Sequence, residues 1–136
     1  MILGFIGTGK ISYSVINGIC NSKISFKKIL ISPRNKILSK RLSKKFKKVK
    51  IAKTNQQIVD ESNWVFLGVT PEVGKKIIYK LKFRNTQKVI SFISSITLID
   101  LRKMVKKKCD IVRAIPLPPI SLKKKGLYLF AHLIIK

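Results

Sequence analysis

Short apolar runs alternate with helix-forming segments along the first 120 residues, and this alternation constrains the fold more than any other feature of the sequence. The runs predicted to be strands are residues 2–6, 28–32, 49–52, 64–69, 89–94 and 109–114. Between them, apolar side chains recur at helical spacing, as Leu38, Leu42 and Phe46 do. Parallel strands need crossover helices, so the pattern predicts an α/β fold: a doubly wound, mostly parallel sheet.

Residues that commonly begin helices stand in front of four of the predicted helices. They are Asn35, Thr54, Thr70 and Thr97. Gln57 lies three residues after Thr54 and completes the pattern of a capping box, while Pro71 suits the first helical position. The sequence therefore predicts helix starts at residues 35, 54, 70 and 97.

The charge of the chain is strongly positive, with 30 Lys and Arg against 5 Asp and Glu and a formal net charge of +25. Such a charge predicts non-specific binding to polyanions at low salt, and a basic nucleic-acid-binding protein is one hypothesis for the function. Lysines spread along the whole chain and aromatic residues inside apolar runs are instead typical of a solvated basic surface.

Several classes of protein are disfavoured by what the sequence contains. No apolar run approaches the roughly 18 residues that cross a bilayer, so we expect no membrane partner. Cys20 and Cys109 are far apart, which predicts neither a disulfide framework nor a metal site and favours the cytoplasm. The one histidine is His132, so no general acid or other catalytic residue can be named.

The turn after the first strand has the pattern of a phosphate-binding loop. Gly7-Thr8-Gly9-Lys10-Ile11-Ser12 follows an apolar strand and opens a helix, the context in which the G-x-G-x-x-G pattern indicates dinucleotide binding. Gly7 permits a tight turn, Gly9 lets a pyrophosphate approach the helix N-terminus, and Ser12 keeps helix and strand close. The turn predicts a Rossmann-type domain, in which Lys10 either assists a phosphate or lies in solvent.

The end of the second strand indicates which dinucleotide is bound. Domains that bind NAD usually carry a carboxylate there, but this chain has Ser32 followed by Pro33 and Arg34, and residues 1–59 contain no carboxylate. A hydroxyl and a guanidinium suit a 2′-phosphate. NADP is therefore the expected cofactor.

Three motifs together resemble the N-terminal domain of the pyrroline-5-carboxylate reductase family. They are residues 4–12 (GFIGTGKIS), residues 65–71 (VFLGVTP) and residues 111–116 (IVRAIP), in the order and at the spacings of that family. The resemblance implies an NADP-binding Rossmann domain over residues 1–126 and hydride transfer from NADPH to a cyclic imine. Other NADP-dependent reductases, including those that use a deazaflavin, are similar in fold.

The resemblance also implies functional positions. The residues it assigns to cofactor binding are Gly7, Thr8, Gly9, Lys10, Ile11, Ser32, Arg34, Asn55, Val69, Thr70 and Pro71. Asn55 matches a residue near the cofactor ribose, or is simply a loop residue beside the Thr54 cap. Ser94 and Ser95 match a turn that faces the cleft, and Arg113 suits an ion pair as well as a substrate contact.

Two departures from the family pattern bear on the function. Leu117-Pro118 replaces an Asn-Thr pair beside the substrate site, and we expect the C-terminal helical domain of the family to be absent, with residues 127–136 as a terminal strand or remainder. A non-catalytic dinucleotide-binding module or a truncated remnant therefore stays open. The expected partners are a small imine substrate, where a complete site forms, and further copies of the chain.

Overall fold

A computed structural model of the chain describes residues 1–114, which form a single sheet covered by helices. Strands β1 to β6 are Ile2–Ile6, Lys28–Ile31, Val49–Ile51, Trp64–Leu67, Lys88–Ser91 and Asp110–Arg113. All five strand pairs are parallel, and the strand order is β3-β2-β1-β4-β5-β6. The predicted doubly wound α/β fold is confirmed, because this order is that of the Rossmann fold.

Every pair of successive strands is joined by a helix. Helices α1 to α5 are Lys10–Cys20, Lys36–Lys45, Asn55–Glu61, Pro71–Ile77 and Leu98–Val105, and a 3₁₀ turn, Ile78–Lys80, follows α4. The four predicted caps are confirmed, since the side chains of Asn35, Thr54, Thr70 and Thr97 each accept a hydrogen bond from a first-turn amide. Short polar side chains therefore determine where these helices begin.

Several elements end earlier than the sequence pattern predicts. The largest difference is in the fifth strand, which is predicted over residues 89–94 and stops at Ser91. The fourth strand stops at Leu67 rather than residue 69, because β1 turns away after Ile6 and only the Gly68 N–H still reaches its neighbour, at 2.8 Å from the Ile6 carbonyl oxygen. The fourth helix, whose apolar spacing predicts an end near Leu81, stops at Ile77, where the chain tightens into the 3₁₀ turn. The apolar pattern of the sequence continues past the end of regular structure in these elements, so it overestimates their length.

The sheet separates two apolar layers. One layer packs α1 and α2 against the sheet and contains Val15, Ile16 and Leu42 among its buried residues. The other packs α3, the 3₁₀ turn and α5 against the opposite face. In the middle strands Phe5 stacks on Phe66 with ring centroids 4.4 Å apart, which fixes β1 against β4 at the centre of the molecule.

Among residues 1–114, no helix is long and apolar enough to cross a membrane. The boundary proposed at residue 126, the apolar run at residues 127–136, His132 and the Leu117-Pro118 substitution all lie outside the described residues.

Candidate functional site

The loops that follow β1, β2, β3, β4 and β5 lie at one edge of the sheet, which we call the carboxyl edge (residues 7–9, 32–35, 52–54, 68–70 and 92–97). The connection from β1 runs to β2 on one side, whereas β4 lies on the other side of β1. This reversal of direction opens a crevice above the end of β1, and ligands of open α/β sheets bind in such crevices. The turn singled out in the sequence lies at this point.

Gly7 makes the turn possible. Its φ of +92° lies in a region that L side chains rarely adopt, and a Cβ placed on it would lie 2.4 Å from the Gly68 carbonyl oxygen and 2.7 Å from Val69 Cγ1. The first glycine of the motif is therefore required by the fold, because the chain leaving β1 runs directly against the end of β4.

Gly9 is different, because nothing in the fold requires a glycine there. It precedes α1 with φ −84° and ψ −172°, and a Cβ placed on it would meet no atom within 4 Å. Among the five helices of residues 1–114, α1 alone has no side-chain cap. The first helical hydrogen bond joins Tyr13 N–H to the Gly9 carbonyl, which leaves the amides of Lys10 and Ile11 free to donate to an anion.

The third small residue of the motif packs α1 against β4. Ser12 is fully buried, and its Oγ lies 2.2 Å from the position that a Cβ of Gly68 would occupy. The contact requires a small residue on both elements, which agrees with the packing role predicted for Ser12. The Ser12 hydroxyl has no hydrogen-bond partner among the described residues.

Ser32 connects three loops of the crevice. Its hydroxyl accepts a hydrogen bond from Gly7 N–H at 2.9 Å and donates to Asn55 Oδ1 at 2.9 Å, while its carbonyl accepts from Thr8 Oγ1 at 3.0 Å. Ser32 is buried, so the side chain expected to contact a 2′-phosphate is engaged within the chain. Its role toward a cofactor stays a prediction, and the structure adds a positioning role that no sequence pattern revealed.

Asn55 is the first residue of α3 rather than a plain loop residue. Because its Oδ1 is held by Ser32, its side-chain amide is oriented and has no recorded acceptor within residues 1–114. An oriented N–H donor at this edge of the sheet suits a hydroxyl group of a ligand.

Arg34 lies beside the N-terminus of α2 and is exposed to solvent. Its guanidinium forms no hydrogen bond or ion pair with any described residue, and the residues of β1, β2 and β3 contain no carboxylate that could neutralise it. The neighbouring Asn35 caps α2 and leaves Arg34 in front of that cap. An unpaired guanidinium at this position can form charge-assisted, bidentate hydrogen bonds with a phosphate.

The remaining predicted residues line the other side of the crevice. Val69 packs against Gly7, Thr70 caps α4 and Pro71 is its first helical residue. Ser94 and Ser95 are exposed in the loop after β5, and Arg113 Nη2 donates to the Ser94 carbonyl oxygen. Arg113 therefore bonds to a backbone carbonyl, not to the carboxylate of an ion pair.

One further polar residue at the crevice was missed by sequence reasoning. Ser39 is buried on α2 and donates from its Oγ to the Ser32 carbonyl oxygen at 2.8 Å. It lies three residues before the buried Leu42, so a helical wheel that counted small polar residues as part of the inner face would have found it.

The described residues contain neither a cluster of metal-ligating side chains nor a cysteine with a lowered pKa. The described residues contain no group of three metal-ligating side chains. Burial raises the pKa of the Cys20 thiol to about 11, although Lys45 and Lys48 oppose the shift. Burial likewise raises the pKa of the Cys109 thiol. Both thiols stay protonated near neutral pH, as inert buried cysteines do.

Comparison with known proteins gives a family match and a set of relatives. A family model described as "NADP oxidoreductase coenzyme F420-dependent" matches residues 2–95, which include the turn and the crevice. Pyrroline-5-carboxylate reductase 3 of Danio rerio is 27% identical over 130 residues, which are 93% of this chain and 44% of the relative.

Solved structures agree with this match. A 1-pyrroline-5-carboxylate reductase from Streptococcus pyogenes superposes with a TM-score of 0.71 at 26% identity, over 85% of this chain and 42% of that one. A Plasmodium falciparum pyrroline carboxylate reductase with NADP bound has the same fold, with a TM-score of 0.75 at 20% identity over 90% of this chain and 44% of that one. The chain thus spans less than half the length of these relatives.

Proposed function

The chain belongs to the family described as NADP oxidoreductase, coenzyme F420-dependent, and from this membership we propose that it binds NADPH and transfers hydride from it to a cyclic imine. The resemblance to the pyrroline-5-carboxylate reductases, which the comparisons bear out, supports the imine as acceptor and proline biosynthesis as the setting. The free, widely separated cysteines support the cytoplasm as its location.

The N-terminus of α1 is the observation that carries the proposal. It combines uncapped amides, the positive end of a helix dipole and an open approach over Gly9, where a Cβ would meet no protein atom. These are the requirements for a pyrophosphate at close range. The glycine is explained by a ligand, since the fold does not need it.

Arg34 supports NADP as the dinucleotide. A carboxylate after β2 would accept from the ribose 2′-OH of NAD, whereas this chain places an unpaired cation there, with the first carboxylate of the sequence at Asp60. We assign Arg34 to the 2′-phosphate and the amide of Asn55 to a ribose hydroxyl. The buried Ser32 hydroxyl holds the turn after β1 and the start of α3 in place through its hydrogen bonds to Gly7 and Asn55.

The proposal assigns binding and orientation to the described residues. When bound, the nicotinamide supplies a hydride to the imine carbon, and the nitrogen takes up a proton. Val69, Thr70 and Pro71 would place the nicotinamide at the end of β4. No catalytic residue is assigned, because reaction in such a site depends on positioning.

A deazaflavin is a second candidate for the hydride acceptor. It is favoured by the description of the family, which names coenzyme F420. The two candidates share the dinucleotide site and differ only in the acceptor. Turnover assays with a cyclic imine and with F420 as acceptors separate them.

The test is a titration with NADPH and with NADH, each at about 0.05 M and about 0.2 M salt. We expect NADPH to bind more tightly and to remain bound at the higher salt. Arg34→Gln should weaken NADPH binding about 10- to 100-fold and NADH binding less than about 3-fold, the loss expected for one charged hydrogen-bonded contact. Gly9→Val should abolish binding of both.

Arg102→Gln is the matched control, because it removes the same charge from an exposed position on α5. It should leave both affinities unchanged. Equal loss of NADPH and NADH in Arg34→Gln would contradict the 2′-phosphate assignment. Binding of the natural chain that disappears at the higher salt would contradict the cofactor site and favour a non-catalytic remnant.

A further inference from the structure

Positive charge is concentrated in one segment of the fold. Ten of the 20 residues 34–53 are Lys or Arg and none is Asp or Glu, whereas all five carboxylates of the chain follow residue 59. The segment contains α2 and the edge strand β3. A uniform compositional bias would spread both signs of charge, so this imbalance belongs to one part of the surface.

Some lysines of the segment serve the fold. Lys45 Nζ donates to Asn17 Oδ1 at 2.8 Å, and Lys48 Nζ donates to the Phe26 carbonyl oxygen at 3.0 Å. Each ammonium also lies over an aromatic ring, that of Phe46 or Phe26. The ammonium groups of these two lysines are therefore engaged within the chain, where they stabilise α2 and the turn that follows it.

The other cations of α2, together with Lys47 just after the helix, form an exposed group that we call the basic face. It consists of Lys36, Lys40, Arg41, Lys44 and Lys47. None of their charged side-chain groups forms a hydrogen bond or ion pair with a described residue, whereas Lys28 and Lys88 elsewhere are paired with Glu61 and Asp110. Three of the five follow one another at intervals of four residues, so they lie along one side of the helix.

We propose that the basic face binds the phosphate backbone of a nucleic acid. From Lys36 to Lys44 the helix rises about 12 Å, and each strand of a duplex carries a phosphate about every 3.4 Å along the axis. A row of this length therefore reaches three or four phosphates on one side of a duplex. This surface lies beside the dinucleotide crevice and does not include it.

The chemistry of the basic face favours contact with phosphates over reading of bases. It presents a single arginine and no exposed aromatic ring, since Phe46 packs against the core. Base stacking needs exposed rings, and guanine readout relies on arginine forks. A membrane partner is disfavoured because α2 exposes one apolar side chain, Ile37, where an interfacial helix needs an apolar face.

The test measures binding of a short labelled DNA duplex at several salt concentrations. The variant K40Q/R41Q/K44Q/K47Q should bind more than about 30-fold more weakly than the natural chain at about 0.05 M salt, and its log–log salt slope should be smaller by about 3, since each phosphate contact contributes about 0.9. NADPH affinity should not change, because none of the four residues belongs to the crevice.

The matched control is K75Q/K76Q/K80Q/K82Q, which removes four exposed charges from α4 and the loop after it, on the opposite side of the sheet. It should weaken duplex binding less than about 3-fold, the loss expected from long-range charge screened by salt. Equal loss in the two variants would overturn the proposal in favour of net charge alone. So would the absence of any loss.

One alternative measurement and two further outcomes keep the proposal open to contradiction. If the quadruple variant does not fold, acylation of lysines in the natural chain should show Lys40 and Lys44 protected by the duplex and Lys75 not, and equal protection would overturn the proposal. If saturating NADPH displaced the duplex, the phosphates of the duplex would bind at the α1 turn and not at the basic face, which would overturn the proposal. Binding to phosphatidylserine vesicles without binding to the duplex would identify a membrane surface.

Discussion

The two edges of the sheet differ in whether their polar groups are hydrogen-bonded within the chain. At the amino edge, formed by the loops that precede the strands (residues 21–27, 46–48, 62–63, 81–87 and 106–109), the chain's own side chains bind its free carbonyls. At the carboxyl edge, the backbone amides of Lys10 and Ile11 at the start of α1 and the guanidinium of Arg34 have no partner within residues 1–114. A polar group satisfied internally serves the fold, and one left open is available to a ligand.

Arg84 and Gln87 show how completely the amino edge is closed. Arg84 donates to the carbonyls of Val59, Asp60 and Ser62, at 3.1, 2.7 and 3.1 Å. The buried Gln87 amide donates to two of the same carbonyls, those of Val59 and Ser62, at 2.6 and 2.8 Å. Together they satisfy the end of α3, where helix carbonyls would otherwise be orphaned.

The ion pairs of the described residues also lie at the amino edge. Lys28 binds Glu61 at 3.1 Å, and Lys88 binds Asp110 at 3.0 Å. Hydrogen bonds from Gln57 and then from Lys28 lower the pKa of the Glu61 carboxyl. The carboxyl edge has no comparable pair, so its positive charge is not neutralised from within.

The largest expected effect separates the two glycines of the turn. Gly7→Ala should lower the free energy of unfolding by at least about 3 kcal/mol, because it adds positive-φ strain to a clash with the Gly68 carbonyl. Gly9→Ala should lower it by less than about 1 kcal/mol, since the new Cβ meets nothing. Urea unfolding of both variants measures the difference.

These two variants test whether the carboxyl edge contains one glycine that the fold requires and one that is kept for ligand binding. Similar losses in the two variants would mean that Gly9 is structural as well. In that case the open approach over α1 would no longer point to a ligand.

Gln87→Ala should produce the next largest effect, now at the amino edge. The change removes two donors from buried carbonyls and the acceptor of Arg84 N–H, so we expect a loss of about 2–3 kcal/mol in the free energy of unfolding. NADPH affinity should stay unchanged in the folded protein. Thr86→Ala, at an exposed neighbour, is the control and should be neutral. A weakened NADPH affinity in Gln87→Ala would show that the two edges are coupled.

Ser62→Ala should have the smallest effect. Ser62 Oγ is buried against Gly4 and has no hydrogen-bond partner among the described residues, so its removal should change the free energy of unfolding by less than about 1 kcal/mol, in the stabilising direction. Thermal unfolding measures the shift. A clear destabilisation would mean that this hydroxyl does have a partner and that the amino edge is more completely satisfied than described.

The sequence was sufficient to predict the local signals of the fold. The six strands, the five helices and the caps at Asn35, Thr54, Thr70 and Thr97 follow from periodicity and short polar residues, and the structure confirms them. The packing role of Ser12 was also predictable, because the motif places a small residue there. These features depend on neighbours within a few positions in the chain.

The contacts across long sequence separations could not be predicted. Nothing in the local pattern shows that Ser32 would bond to both Gly7 and Asn55, 25 and 23 residues away. The same holds for Gln87, whose carbonyl partners at Val59 and Ser62 lie 28 and 25 residues away. A polar residue that contacts a ligand at the surface and one that is buried and bonds within the fold cannot be told apart from the sequence.

The sequence by itself determined the order of elements, the position of the phosphate turn and the absence of a carboxylate after β2, because each depends on residue type and spacing alone. Only the tertiary structure decided that Gly7 serves the fold while Gly9 is left open, and that Ser32 is enclosed while Arg34 is free. The physical reason is that burial and hydrogen bonding depend on which strands lie side by side. The strand order β3-β2-β1-β4-β5-β6 brings together loops that are far apart in the chain.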